Sequence, residues 1–160
     1  MNTIEISPIN QAQYHELSIM VGELLTEIMN VIDEKVFNYD QAATELRAKE
    51  LIENGKYWVF IATDSSNQNA IGFISLYESY ALYAEGAYGA IPELYVRPGC
   101  RSQNIGQQLL KQAFMFAAEK GWKRLEVTTP PLPAFDKTLN FYQTNHFEIA
   151  GGRKLKIDIV

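Results

Sequence analysis

The sequence predicts an α/β protein, more loosely α+β, in which a mixed β-sheet of about seven strands carries helices on both faces. Two periodicities alternate along the chain, β-branched and aromatic runs typical of strands and apolar residues at helical spacing. Their order is β-α-α-β-β-β-α-β-α-β-β. The 160 residues are 47% hydrophobic and 21% charged, which is typical of a single globular domain spanning residues 1–160.

The first half is predicted to contain a strand at residues 3–7, helices at 10–30 and 40–53, and a hairpin of strands at 57–62 and 70–80. The first helix is indicated by an apolar stripe at helical spacing, formed by Leu17, Val21, Leu24 and Ile28. Asp40 is a suitable N-cap for the second helix, whose Ala43, Leu46 and Leu51 are expected to point inward.

The second half is predicted to contain strands at 88–96 and 124–128, helices at 104–120 and 136–145, and a last hairpin of strands at 147–150 and 153–159. Alternation of apolar and polar residues over 153–159 indicates one buried and one solvated face. Pro92 lies inside the strand at 88–96 and cannot donate to a ladder, so it predicts a bulge or a local parting of strands. The backbone of residues 93–96 would then be free for a ligand.

Composition and charge exclude several classes. The formal net charge is −5 without a block of Lys or Arg, so nucleic acid is not an expected partner. Cys100 is the only cysteine, and the N-terminus lacks a signal-peptide pattern. No apolar run approaches the roughly 20 residues that span a bilayer. We therefore expect a cytoplasmic protein with no membrane partner and no metal site.

Residues 94–110 form the most informative stretch. An apolar strand end is followed by a Pro-Gly turn, a polar loop and a strongly amphipathic helix. The first N–H groups of a helix lack internal partners and the helix dipole is positive there, which suits an anion such as a phosphate. An ordinary connection between strand and helix is the alternative interpretation.

The loop 101–106 reads Arg-Ser-Gln-Asn-Ile-Gly, and residues 140–147 read Asn-Phe-Tyr-Gln-Thr-Asn-His-Phe. These two motifs resemble those of the GNAT N-acetyltransferase superfamily, which are Arg/Gln-x-x-Gly-x-Gly/Ala and Phe-Tyr-x-x-x-Gly-Phe. Asn104 and His146 stand where the family has Gly, and both residue types tolerate left-handed backbone. Phe135 occupies the place of an Asn that many members carry, which puts one cofactor contact in doubt.

The resemblance implies a GNAT-like, mostly antiparallel sheet and acetyl-CoA as co-substrate. The backbone of Leu94, Tyr95 and Val96 would pair with the pantetheine arm, and the Val96 N–H would stabilise the oxyanion. The pyrophosphate would be held by the loop and the helix start, through Arg101, Ser102, Gln103, Asn104, Ile105, Gly106 and Gln107. Tyr142 would protonate the leaving thiolate, with an ordinary buried aromatic as the alternative.

Glu93 is the predicted general base, because a carboxylate beside Pro92 in an otherwise apolar strand indicates a functional role. A carboxylate paired on a sheet face is the alternative role for Glu93, and Glu78 or water could serve as the base instead. The resulting hypothesis is direct acetyl transfer from acetyl-CoA to a primary amine of a small molecule or protein. A CoA-binding module with weak or no turnover, or transfer from a longer acyl-CoA, are the alternatives.

The acceptor is not predicted. A set of tyrosines precedes the cofactor strand, comprising Tyr77, Tyr80, Tyr83 and Tyr88. With Glu78 and Glu85 these rings could line an acceptor pocket for a cation. Sheet packing or a dimer surface would explain them equally, so a homodimer is also left open.

Overall fold

The computed structural model describes residues 3–159, with Ser102 described by its backbone only. The chain divides into two compact units, the first ending at Thr128 and the second beginning at Thr129. The first unit contains β1 (Ile4–Pro8), α1 (Tyr14–Ile32), α2 (Gln41–Glu53), β2 (Trp58–Asp64), β3 (Asn69–Ala81), β4 (Gly86–Ile91), β5 (Leu94–Val96), α3 (Ile105–Lys120) and β6 (Leu125–Val127). The second unit contains α4 (Asp136–Thr144).

The six strands form one mixed sheet. Its order is β1-β2-β3-β4-β6, and β5 pairs with β3 beside β4. All pairs are antiparallel except β4 with β6, which are parallel. The predicted mixed and mostly antiparallel sheet is therefore confirmed.

Helices cover both faces of this sheet, as predicted. Val59 and Ile61 on one face of β2 belong to a buried core that includes side chains of α1. On the other face, Trp58 and Phe60 contact Phe116 of α3, with ring centroids 5.4 and 5.5 Å apart. Alternate residues of one strand thus serve two hydrophobic layers.

Pro92 interrupts the strand as predicted. The single strand expected over residues 88–96 is divided into β4 and β5, and Pro92 and Glu93 lie between them. β4 is paired on both of its edges, with β3 and with β6, whereas β5 pairs with β3 only. The interruption therefore replaces one long strand with two short ones, which pair with different parts of β3.

The predicted C-terminal hairpin is wrong. Residues 147–159 contain no strand, and the alternating Leu155, Ile157 and Ile159 side chains are 88%, 84% and 90% exposed. Alternation of apolar and polar residues indicates which side chains a strand would bury. The strand itself is stabilised by pairing with neighbouring strands and by packing against them. The count is six strands rather than about seven, because the division at Pro92 adds one strand and the missing hairpin removes two.

The start of α2 follows the prediction, whereas its inward face does not. The Asp40 side chain accepts a hydrogen bond from the Ala43 N–H at 2.8 Å, which confirms it as the N-cap. Leu46, however, is 56% exposed. Ala48 and Ile52 pack against the core instead, since at about 100° per residue Leu46 lies on the far side of the helix from Ala48.

Candidate active site

β5 has one open edge. Glu93 and Arg97, which flank it, both bond their backbone groups to β3, at 3.0 and 2.9 Å. Hydrogen-bonding direction alternates along an antiparallel strand, so the N–H and C=O groups of Leu94 and Val96 point away from β3. Within residues 3–159 no strand pairs with this outer edge. Two outward N–H groups are therefore available to an extended ligand.

The gap arises from the end of β6 and from Pro92. β6 pairs in parallel with β4 until Val127 lies opposite Ile91, and there the ladder stops. Pro92 follows Ile91 and has no N–H with which to continue the pairing. The parting of strands predicted from Pro92 is therefore located beside β5.

The helix start predicted to hold phosphate follows β5 after a 3₁₀ turn, Pro98–Gln103. Asn104 has φ 58° and ψ 25°, the left-handed conformation that Asn tolerates well. Its side chain makes no capping hydrogen bond to the helix. The N–H groups of Ile105, Gly106 and Gln107 lie in the first turn of α3, where the helix provides no acceptor and its dipole is positive.

Arg101 has partners that the sequence did not indicate. Its Nε donates to the Val96 carbonyl at 2.8 Å, and its guanidinium pairs with Glu27 of α1 at 2.8 Å. The guanidinium also lies 5.8 Å from the centre of the Tyr95 ring. Arg101 thus contacts the outer edge of β5 itself. An anion bound there would share the positive charge of Arg101 with Glu27.

Glu93 is held by two hydroxyl groups. Tyr57 donates to its carboxylate at 2.8 Å, and Ser75 donates to the same oxygen. The Ser75 hydroxyl also accepts from the Glu93 N–H at 3.0 Å, which fixes the backbone beside Pro92. Burial raises the pKa of Glu93 above its usual range, although both hydroxyl groups act in the opposite direction.

Glu78 lies in a different environment. Trp122 donates from Nε1 to its carboxylate at 2.6 Å, and the Tyr80 hydroxyl donates to it as well. Both donors lower the pKa of Glu78, and the hydrogen bond from Trp122 has the larger effect. Successive residues of a strand alternate between faces, so Glu78 points to the face opposite that of Ser75, the partner of Glu93. Glu78 is therefore a weaker base than Glu93 and does not face it.

A cavity of about 160 Å³ lies between the sheet and the two helices α1 and α2. Glu93, Tyr57 and Ser75 line it from the sheet. Its remaining walls are largely apolar, with Leu17, Val21 and Phe73 among them. The candidate base therefore faces a small, mostly apolar space.

Tyr142 lies in the second unit, on α4. It is buried, and its ring contacts those of Phe141 and Phe147, each at a centroid distance of 5.3 Å. Burial raises its pKa, and its hydroxyl has no hydrogen-bond partner in the described part of the chain. His146 has φ 73°, which agrees with the backbone role expected of it. A neutral hydroxyl of this kind is free to donate a proton.

The four tyrosines do not form one cluster. Tyr88 is buried, and the guanidinium of Arg124 lies 5.3 Å from its ring centre and 5.3 Å from that of Tyr83. Tyr77 instead stacks on Tyr57, with centroids 6.3 Å apart. Tyr83 and Tyr88 therefore already contact a cation of the protein itself.

Arg97 was missed by the sequence interpretation. It donates to Glu16 at 2.6 Å, to Glu23 at 3.0 Å and to the Ala70 carbonyl at 2.8 Å, and so ties α1 to the end of β5. The Tyr95 hydroxyl also donates to Glu23, at 3.1 Å. The sequence feature that could have indicated these contacts is a row of glutamates at helical spacing along α1, Glu16, Glu23 and Glu27.

Residues 3–159 contain neither a candidate metal site nor a membrane-spanning helix. No group of His, Cys, Asp and Glu side chains is arranged to hold a metal ion. Among the helices described, none combines the length and the apolar character needed to cross a membrane.

Comparison with known proteins identifies the family of the chain. The sequence profile of the Acetyltransferase (GNAT) family matches residues 20–147. No curated protein sequence matches the chain.

Solved structures resemble the chain over nearly its whole length. The aminoglycoside N-acetyltransferase AAC(6')-Iy in complex with CoA has a TM-score of 0.81 at 16% identity, covering 99% of this chain and 96% of that one. The ribosomal-protein-alanine N-acetyltransferase from Brucella melitensis biovar Abortus 2308 has a TM-score of 0.70 at 17% identity, covering 98% and 100%.

A third structure, an aminoglycoside acetyltransferase from an uncultured soil metagenomic sample in complex with sisomicin, has a TM-score of 0.70 at 19% identity, covering 98% and 95%. At these identities the likeness establishes the fold. The profile match extends over most of the sequence and establishes the family. The chain belongs to the acetyltransferase (GNAT) family, as the two sequence motifs had indicated.

Proposed function

We propose that the protein is an acetyl-CoA-dependent N-acetyltransferase that passes the acetyl group directly to a primary amine. The observation that carries this proposal is the open edge of β5, whose outward N–H groups lie next in sequence to the partly buried carboxylate of Glu93. The family match spans both units, which supports treating residues 1–160 as one catalytic domain.

The open edge and the helix start fit the two parts of CoA. The backbone of Leu94 and Val96 would pair with the pantetheine arm as an added strand would. The first N–H groups of α3, at Ile105 to Gln107, would hold the pyrophosphate, helped by the helix dipole. Ser102, Gln103 and Asn104 belong to the same loop, and Arg101 would add positive charge beside it.

Proton transfer from the acceptor is assigned to Glu93. An alkylammonium group must lose a proton before its nitrogen can attack a thioester. Efficient bases have a pKa near the working pH, and burial raises that of Glu93 in this direction. The lowered pKa of Glu78 supports Glu93 over Glu78 for this role.

The attack places negative charge on the carbonyl oxygen, and the Val96 N–H is proposed to donate to that oxygen. A preorganised donor of this kind is worth about 10²- to 10³-fold in kcat. Collapse then expels the CoA thiolate, which takes its proton from Tyr142. After the attack the nitrogen still carries two protons, and one of them returns to the Tyr142 phenolate as the amide forms. The amine nitrogen has then gained the acetyl group, Glu93 holds one proton, Tyr142 is again neutral, and the thiol leaves neutral.

Removing one backbone N–H tests the proposal. Val96→Pro deletes the donor without breaking the ladder, because this N–H points away from β3, and the preceding Tyr95 is already extended, as a residue before proline prefers. Val96→Ile keeps the N–H and is the matched control. We expect thiol release from acetyl-CoA with amines to fall about 10²- to 10³-fold in Val96→Pro and to change little in Val96→Ile.

The alternatives give different results in the same assay. CoA binding to the wild type without thiol release from any amine would identify a binding module instead of an enzyme. Faster turnover with a longer acyl-CoA would identify a different donor. Failure of the wild type to bind CoA at all would overturn the proposal.

A further inference from the structure

The cavity beneath α1 and α2 has opposite charges on opposite walls. Glu93 and Arg47 are the only charged side chains among the described residues that line it. Glu93 lies at the sheet and Arg47 on α2. The other lining side chains are apolar or carry a hydroxyl group. Its charge pattern is therefore negative at the sheet, neutral in the middle and positive at the helix.

Arg47 has no side-chain partner among the described residues. Among residues 3–159 its guanidinium makes no hydrogen bond, ion pair or ring contact, whereas Arg97 and Arg101 are both paired with glutamates. Arginine binds carboxylates through two parallel hydrogen bonds, a geometry that lysine cannot reproduce. An unpaired arginine at the wall of a cavity is thus available to an anionic group of a ligand.

The size of the cavity limits what can enter it. Its volume of about 160 Å³ is close to that of an engineered cavity that binds benzene, roughly 150 Å³. Drug-sized ligands occupy about 300 to 1,000 Å³. The cavity therefore suits a short apolar chain and not a multi-ring polyamine.

We propose that the acceptor is a small primary amine with an apolar body and one carboxylate, the amine directed to Glu93 and the carboxylate to Arg47. This inference rests on the proposed function, because it assigns the substrate class of the same site. A polycationic acceptor would place a positive charge against Arg47 and leave it unpaired.

Three amines of equal chain length isolate the contribution of the far end. They are 6-aminohexanoate, hexylamine and 1,6-diaminohexane, which carry a carboxylate, a methyl group and an ammonium group there. We expect kcat/KM for acetyl transfer to decrease in that order. The difference between the first two should be roughly 10- to 100-fold, as for a charge-assisted hydrogen bond.

Arg47→Gln should remove this difference by lowering kcat/KM for 6-aminohexanoate while leaving hexylamine unchanged. Arg47→Glu should favour 1,6-diaminohexane. Lys49→Gln is the matched control, since Lys49 is also an exposed cation on α2 but does not line the cavity. Equal losses for all three amines in Arg47→Gln, or a wild type that prefers the diamine, would overturn the inference.

Calorimetric titration separates this inference from the proposed function. Titration of wild type with 6-aminohexanoate should show binding that weakens about 10- to 100-fold in Arg47→Gln and persists in Lys49→Gln. If that holds while no amine releases thiol, the pocket assignment stands and the proposed function fails. If thiol is released but neither titration nor turnover depends on Arg47, the function stands and this inference fails.

Discussion

Replacing Glu93 with Gln removes the proposed base while keeping the shape of the side chain. Tyr57 and Ser75 can still donate to the remaining amide oxygen, so the local structure should survive. General-base catalysis contributes about 10²- to 10⁴-fold, and the loss in kcat/KM should fall in that range on the plateau of the pH profile. Below the raised pKa of Glu93 the wild type itself is protonated, so the ratio of the two rates should shrink about tenfold per pH unit.

The assay is kcat/KM for thiol release followed from about pH 5 to pH 9, the range that spans a raised carboxyl pKa. Tyr57→Phe provides the matched control, because it removes one donor to the carboxylate at 2.8 Å and leaves the base in place. A hydrogen bond to a charged group contributes about 1.5–3 kcal/mol, so the acidic limb should move up by roughly one to two pH units.

Two results would refute this reasoning. If Glu93→Gln keeps both the rate and the acidic limb, water or another group is the base. If Tyr57→Phe moves the acidic limb to lower pH, the Tyr57 hydroxyl does not stabilise the ionised form of Glu93.

The same variant has a consequence for stability. A carboxyl whose pKa is raised in the folded state contributes stability below its unfolded pKa, and this contribution is lost as the pH rises through the folded value. The melting temperature of Glu93→Gln should therefore rise relative to wild type between about pH 4 and about pH 8. Scanning calorimetry at the two pH values measures this, and a constant difference would contradict it.

Three further predictions concern other parts of the structure. Tyr142→Phe should lower kcat about 10²-fold without changing CoA affinity, and an unchanged rate would remove Tyr142 from the mechanism. Asn104→Gly should change the free energy of unfolding by less than about 1 kcal/mol, whereas Asn104→Val should lower it by about 1–2 kcal/mol in urea titrations, because φ is 58°. Gly89→Ala should cost about 1–3 kcal/mol, since its Cβ would lie 2.3 Å from Trp122, while Gly152→Ala, with nothing within 4 Å, should be neutral.

The parts of the site that follow from local chemistry could be predicted from the sequence. Pro92 lacks an N–H, so a break in pairing at that position follows wherever the strand lies. Asn104 tolerates a positive φ, so the loop before α3 could be expected to keep the shape of a glycine loop. Both expectations depend on one residue and its neighbours in sequence, and the structure agrees with both.

The partners of each charge could not be predicted in the same way. The hydroxyls that hold Glu93 come from Tyr57 and Ser75, which are 36 and 18 residues away in sequence. Arg101 was expected to face a phosphate, yet it pairs with Glu27 of α1. Contacts of this kind depend on how the helices pack on the sheet, which a single sequence does not specify.

In the C-terminal segment, by contrast, the sequence pattern predicted a hairpin that the structure does not contain. Leu155 and Ile157 alternate with Lys154 and Lys156 as in a half-buried strand, but their side chains are exposed. A binary pattern states which face a strand would bury, and it contains no information on whether a neighbouring edge exists to receive it.

The open edge of β5 also bears on aggregation. An unpaired strand edge is a template onto which strands of other molecules can add, and proteins limit such edges by keeping them short or by covering them with charged side chains. β5 is only 3 residues long, and Arg101 covers the Val96 carbonyl at 2.8 Å. The edge therefore retains donors for one extended ligand arm, yet it is too short and too charged to start an intermolecular sheet.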